Sequence, residues 1–134
     1  MKSTRPQVCI QGLGFVGAAM ATVVASARDS QGDPIFNVIG VDLPTEEGQK
    51  KVNAVNAGIF PFESRDDKLA RLMREGSLTV GNLAATTDPE IYPQSSVVIV
   101  DINCDVAFSD GKPRLDMDGF KKAVRTLGDR LQPG

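Results

Sequence analysis

The sequence predicts an α/β domain built on a parallel, doubly wound sheet. Three observations carry that expectation. Short β-branched runs alternate with segments of helical periodicity, the strongest run is apolar on both faces, and a glycine-rich turn joins the first run to the first helix. Val8-Cys9-Ile10, bounded by Pro6 and Gly12, is the first strand. From Phe15 to Arg28 an Ala-rich segment places Val16, Met20, Val23 or Val24, and Ala27 at helical spacing, and Asp29–Pro34 has loop chemistry. Phe36–Val41 forms the second strand, closed by Asp42. A helix from about Glu46 to Ala57 turns Val52 and Val55 inward and stops at Gly58. Ser64-Arg65-Asp66-Asp67 has the pattern of a capping box before a helix that carries Leu69, Leu72 and Met73 and ends at Gly76. Leu78–Ala85 is weakly strand-like, and Asp88-Pro89 reads as an N-cap followed by proline at the first helical position. Val97–Val100 is the strongest strand and is expected to be buried on both faces. A turn at Ser109–Lys112 and a last helix over Asp118–Leu131, striped by Phe120, Val124, Leu127 and Leu131 and ended by Pro133-Gly134, complete the pattern. The first strand should lie centrally, in the order 3-2-1-4.

Composition narrows the function. The 134 residues are 41% hydrophobic and 24% charged, the mix of a folded domain, and the length supports one domain over residues 1–134. Lys+Arg 15 against Asp+Glu 17 gives a net charge of −2, which disfavours nucleic acid or an anionic membrane as partner. With no histidine, imidazole metal sites and His-centred triads are excluded, and two cysteines make neither a disulfide framework nor a thiolate zinc cluster. No metal site and no complete catalytic set is expected. Lys2 and Arg5 before the small, apolar stretch Val8–Ala27 outline a secretory signal, but Gln11, Gly12, Gly14 and Gly17 interrupt it. Nothing reaches the ~18 uninterrupted apolar residues of a membrane span, so a cytoplasmic location is expected.

Gly12-Leu13-Gly14-Phe15-Val16-Gly17 carries the specific chemistry. Its first glycine permits the tight turn out of the strand, its second lets a pyrophosphate approach the backbone, and its third lets helix and strand pack closely. Backbone N–H groups and the dipole at the helix start would meet the anion. The turn follows a strand, opens a helix and precedes a second strand ending in an acid, which is the context of a dinucleotide site. Asp42 would accept the ribose hydroxyls and repel a 2′-phosphate. No Arg follows in Leu43-Pro44-Thr45-Glu46-Glu47, so NAD is expected over NADP. Asp42 stands 25 positions beyond Gly17, a long interval that the Asp29–Pro34 loop must absorb. The bland alternatives are a ligand-free glycine turn and a strand-end turn residue. Thr86-Thr87-Asp88 reads first as a helix cap. Asp101, Asn103, Cys104 and Asp105 crowd the carboxyl end of the strongest strand, where open α/β sheets place ligands, or else form a solvated loop.

These residues resemble the NAD-binding N-terminal domain of the UDP-glucose/GDP-mannose (nucleotide-sugar) dehydrogenase family. Gly12–Gly17 is similar to the family's Gly-x-Gly-Tyr/Phe-Val-Gly, and Gly40-Val41-Asp42 to its strand-end acid. Asn56-Ala57-Gly58 with Pro61-Phe62-Glu63 resembles its Asn-x-Gly…Pro…Glu stretch, and Ala85-Thr86-Thr87-Asp88 its Thr-Thr-Asp segment. The resemblance runs from about Gln7 to Gly134. It implies a Rossmann-type sheet truncated before its last strands, within a larger enzyme. That enzyme would oxidise the C6 alcohol of a nucleotide sugar to the acid with two NAD per sugar, in polysaccharide biosynthesis, as a homodimer at full length. It places Leu13, Phe15 and Val16 at the pyrophosphate turn, Asp42 on the ribose and Thr86 in the dinucleotide groove. Cys104-Asp105 stands where the family has Thr-Pro beside the nicotinamide. The basic residue that follows the ribose acid in the family is missing, since Glu46 and Glu47 stand there. The catalytic Cys and Lys would lie further along the parent, so the chain alone is expected to be inactive. Two other classes stay open: the cofactor domain of a hydroxyacid or hydroxyacyl dehydrogenase, and a non-catalytic dinucleotide-sensing module.

Overall fold

A computed structural model describes residues 5–133, so Lys2 of the basic start and the terminal Gly134 lie outside the described residues. Strand β1 (Gln7–Gln11) pairs in parallel with β2 (Asn37–Val41) on one side and with β4 (Val97–Val100) on the other. Strand β3 (Leu83–Thr86) pairs in parallel with β2, so the sheet runs β3-β2-β1-β4, as the sequence predicts. The core follows from that placement. Ile10, Val38 and Leu83 come from the strands, and Val52, Val55, Leu69 and Met73 from helices α2 (Glu46–Asn56) and α3 (Asp67–Arg74). Full burial of such a side chain contributes about 1.5–3 kcal/mol. Cys9, Val41, Tyr92 and Leu127 form a second core on the other face. Leu127 comes from α4 (Asp118–Gly128) and Tyr92 from a 3-10 turn over Pro89–Gln94.

Several local expectations are corrected. In α1 (Phe15–Ala25) the buried face is the small one, Gly17, Ala18, Ala21, Thr22 and Ala25, while Val16 and Val23 are exposed. A helix laid close over a sheet favours residues without bulk, and here size decides over hydrophobicity. The first cap of α3 is Asp66, whose carboxylate accepts from Lys68 N and Leu69 N; Ser64 Oγ only accepts from Asp66 N. That helix does not stop at Gly76 but runs on through a π-helical turn over Glu75–Val80, ended by left-handed Gly81. The strand expected from Leu78 therefore begins only at Leu83.

β4 is not buried on both faces: Val97 is 52% and Val100 38% exposed. It is an outer strand among the described residues, and α1 packs over β1, β2 and β3 instead. The Ser109–Lys112 turn belongs to an unforeseen antiparallel hairpin of β5 (Val106–Ser109) and β6 (Lys112–Leu115). Asp110 (φ 53) and Gly111 (φ 71) give the two positive angles such a tight hairpin needs. In α4 the stripe is rotated: Leu127 is buried and Phe120 partly so, whereas Val124 and Leu131 are exposed. The Asp29–Pro34 loop absorbs the long interval by closing on itself. Asp29 Oδ1 accepts from Gln31 N and Asp33 N, and Arg28 bridges to Pro34.

Candidate functional site

The glycine turn leaves β1 at the carboxyl edge of the sheet. Gly12 (φ 104) donates to Val41 O at 2.8 Å, and a side chain on it would collide with the Asp101 carbonyl oxygen. A side chain on Gly17 would in turn strike Gly12 O, so the first and third glycines are required by contact. Between them Gly14 is the N-cap of α1 with no side-chain cap, and the first turn of α1 holds no acid. Uncapped N–H groups at a helix start favour an anion. Leu13 is fully buried against Gly40 of β2, which holds the turn down on the sheet.

Asp42, at the end of β2, points back at this turn. Its Oδ2 accepts from Leu13 N at 3.1 Å and its Oδ1 from Leu43 N at 2.8 Å, leaving the side chain 14% exposed. Lys51 Nζ lies 3.6 Å from Oδ2. No basic residue stands in the segment directly behind Asp42, as the sequence reads, but one reaches the acid from the second turn of α2. The signal was present, because Lys51 lies on the inward stripe with Gly48, Val52 and Val55, and a charge on such a stripe has a partner to meet.

The Asn56–Glu63 stretch serves the site structurally. Asn56 Nδ2 donates to Ala85 O at 3.0 Å and its Oδ1 accepts from Ala85 N at 2.8 Å, pinning the end of α2 to β3. Phe60 and Phe62 then close on Phe15, with ring centroids 5.3 and 5.9 Å away, and the Lys51 ammonium stands 6.0 Å from the Phe62 centroid. Phe15 is thereby held at the start of α1, and Val16 beside it stays exposed.

A groove of about 600 Å³ runs along this edge, bordered by Gly12–Gly14, Asp42, Pro44, Thr87, Asn103 and, from α4, Lys122. Phe15, Val16 and Gly17 are not among the residues that border it. Thr87, not Thr86, faces the groove; the Thr86 hydroxyl accepts from Asp88 N at 3.1 Å, and Asp88 caps the 3-10 turn through Glu90 N. Asn103 Nδ2 lies over Gly14, and Cys104 follows it as a partly buried free thiol. Below the groove, Gln11 Nε2 donates to Ala123 O at 3.0 Å and ties α4 to the sheet. Burial pushes the Cys9 thiol up to about 11 and raises the Tyr92 hydroxyl as well, so neither is a nucleophile near neutral pH.

Residues 6–134 match the family model described as the NAD-binding domain of the UDP-glucose/GDP-mannose dehydrogenase family. Among curated proteins none matches. Among solved structures, an NDP-N-acetyl-D-galactosaminuronic acid dehydrogenase from Methanosarcina mazei Go1 superposes with TM-score 0.81 at 23% identity, over 99% of this chain and 26% of that one. A GDP-mannose dehydrogenase from Pseudomonas aeruginosa, solved as a ternary complex, gives 0.71 at 27% identity over 92% and 24%. A UDP-glucose dehydrogenase from Pyrobaculum islandicum gives 0.70 at 20% over 95% and 26%. The chain thus spans about a quarter of the length of the structures it matches.

Proposed function

Because the chain belongs to the UDP-glucose/GDP-mannose dehydrogenase family as an NAD-binding domain, we propose that it is the cofactor half of a nucleotide-sugar 6-dehydrogenase. The observation that carries this is the Asp42–Leu13 hydrogen bond, which joins a ribose acid and a pyrophosphate turn into one unit on the groove. The residues fit NAD: a cradle that a Cβ would fill, an uncapped helix start and a carboxylate that accepts hydroxyls. When bound, NAD supplies the hydride acceptor. Backbone N–H groups of Gly14, Phe15 and Val16 would hold the pyrophosphate, while that of Leu13 is given to Asp42. Asp42 would orient the adenosine ribose, with Lys51 balancing its charge, and Thr87 would line the groove in the place expected of Thr86. Asn103 and Cys104 would flank the nicotinamide end.

In this reading residues 1–134 bind cofactor, and the groups that hold and oxidise the sugar belong to other parts of a cytoplasmic, homodimeric parent acting in polysaccharide biosynthesis. Among the described residues no helix is long and apolar enough to cross a membrane. Cys104-Asp105 in place of Thr-Pro favours, as a second reading, a domain that senses the dinucleotide without hydride transfer. Calorimetric titration of the chain with NAD and NADP, followed by addition of UDP-glucose or GDP-mannose, tests the proposal. Weak binding that favours NAD, with no reduced nicotinamide formed, is expected, since few contacts offset the cost of immobilising the ligand. Equal affinity for NADP would refute the assignment of Asp42, and sugar oxidation by the chain alone would refute its division of labour.

A further inference from the structure

Asp101, the half-buried residue that ends β4's run, is an unusual neighbour for an anion site. Its N–H donates to Gln11 O at 2.8 Å and its carbonyl lies against Gly12, so its place is fixed by the sheet. Its carboxylate Oδ2 lies 3.0 Å from where a Cβ on Gly17 would stand, beside the first turn of α1. Among the described residues it forms no ion pair, unlike Asp42 with Lys51. The same helix start carries no side-chain cap and no acid of its own.

We propose that Asp101 supplies from β4 the negative charge that the start of α1 lacks, and that this charge restrains dinucleotide affinity by opposing the pyrophosphate. A carboxylate near a helix N-terminus stabilises the ligand-free helix. A phosphate held at that helix end meets the same charge in partly solvated space, where like charges repel. Asp101 therefore acts with opposite sign on stability and on binding. The proposal rests on the reading that the glycine turn receives the pyrophosphate of NAD.

The test compares Asp101→Asn and Asp101→Ser with the unsubstituted chain by calorimetric titration of NAD, ADP and adenosine, and by thermal unfolding without ligand. Asp101→Ser leaves space and is carried alongside in case the amide packs poorly against Gly17. Both variants should bind NAD and ADP about tenfold more tightly. Adenosine, which carries no phosphate, should bind unchanged. The gain should shrink in about 1 M salt, where the screening length is ~3 Å. The unfolding midpoint should fall. Unchanged or weaker NAD binding in the folded variants, or an equal gain for adenosine, would overturn the proposal. Gly14→Val separates this from failure of the parent reading, because a Cβ there meets only ordinary contact with Asn103. If Gly14→Val abolishes NAD binding while the Asp101 variants change nothing, only the role of Asp101 falls. If Gly14→Val leaves NAD binding intact, the turn is not the pyrophosphate site and both readings fall.

Discussion

Replacing Asp42 by Asn separates cofactor choice from fold stability. The carboxylate accepts two backbone N–H groups, from Leu13 and Leu43, and pairs with Lys51. Hydrogen bonds to a charged acceptor are worth about 1.5–3 kcal/mol each. The amide keeps one acceptor oxygen, so roughly one such bond and the ion pair are lost, and the ligand-free chain should lose about 2–3 kcal/mol. Bound NAD loses a charged acceptor for its ribose hydroxyls, which lowers affinity about tenfold to a hundredfold. NADP should respond the other way. Its 2′-phosphate no longer meets a carboxylate, and Lys51, freed from Asp42, stands close enough to receive it. Calorimetric titration of both cofactors into the unsubstituted and Asp42→Asn chains gives the NAD/NADP ratio, and circular dichroism establishes that the variant is folded. A folded variant with an unchanged ratio would reduce Asp42 to a turn residue and remove its part in selecting NAD over NADP. Lys51→Met in the Asp42→Asn background should then cancel the NADP gain.

Three further outcomes are expected. Gly17→Ala places a methyl group against Gly12 O, a backbone atom that cannot swing aside, so denaturant titration should show a loss above about 3 kcal/mol. Asn56→Ala removes two hydrogen bonds to Ala85 and should cost about 2 kcal/mol by the same method; an effect under about 0.5 kcal/mol would mean the pair with β3 is not formed in solution. Cys9 should make stability fall at high pH: an unfolded thiol ionises from about pH 9, whereas folded Cys9 holds its proton to about 11. Its contribution is thus whole below pH 9 and lost as pH rises towards 11. Cys9→Ala should flatten unfolding curves in that window, with a remaining slope of the same sign from Tyr92.

The strand order and the glycine turn were legible because they depend on local pattern: apolar runs give strands, and only glycine fits against Asp101 O at position 12 and against Gly12 O at position 17. What stayed illegible depends on neighbours far along the chain. The apolarity of Val97–Val100 suggests burial on both faces, but exposure is set by what lies beside a strand, and β4 is an outer one here. In α1, hydrophobicity pointed to Val16 and Val23, while the close approach of helix to sheet selects the alanines. The Lys51–Asp42 pair is not legible in the segment behind Asp42, because a turn of α2 separates the two residues along the chain and brings them together in space. The Asp110-Gly111 hairpin was readable in principle, since that pair between two short runs is a hairpin signal.

The contact between Gly12 and the Asp101 carbonyl bears on the order in which the chain acquires its site. The turn is shaped by β1, β2 and α1, all made early in synthesis, but one wall of it is β4. A ribosome-bound chain that has emerged only as far as β3 would have the glycines and Asp42 without the backbone that confines them. β1–β4 pairing closes a long loop, a slow event whose entropy must be overcome before the contacts reward it. Binding competence should therefore appear only once β4 has paired with β1. Opening of that half-exposed outer strand in the folded chain would release the cofactor while leaving most of the core intact.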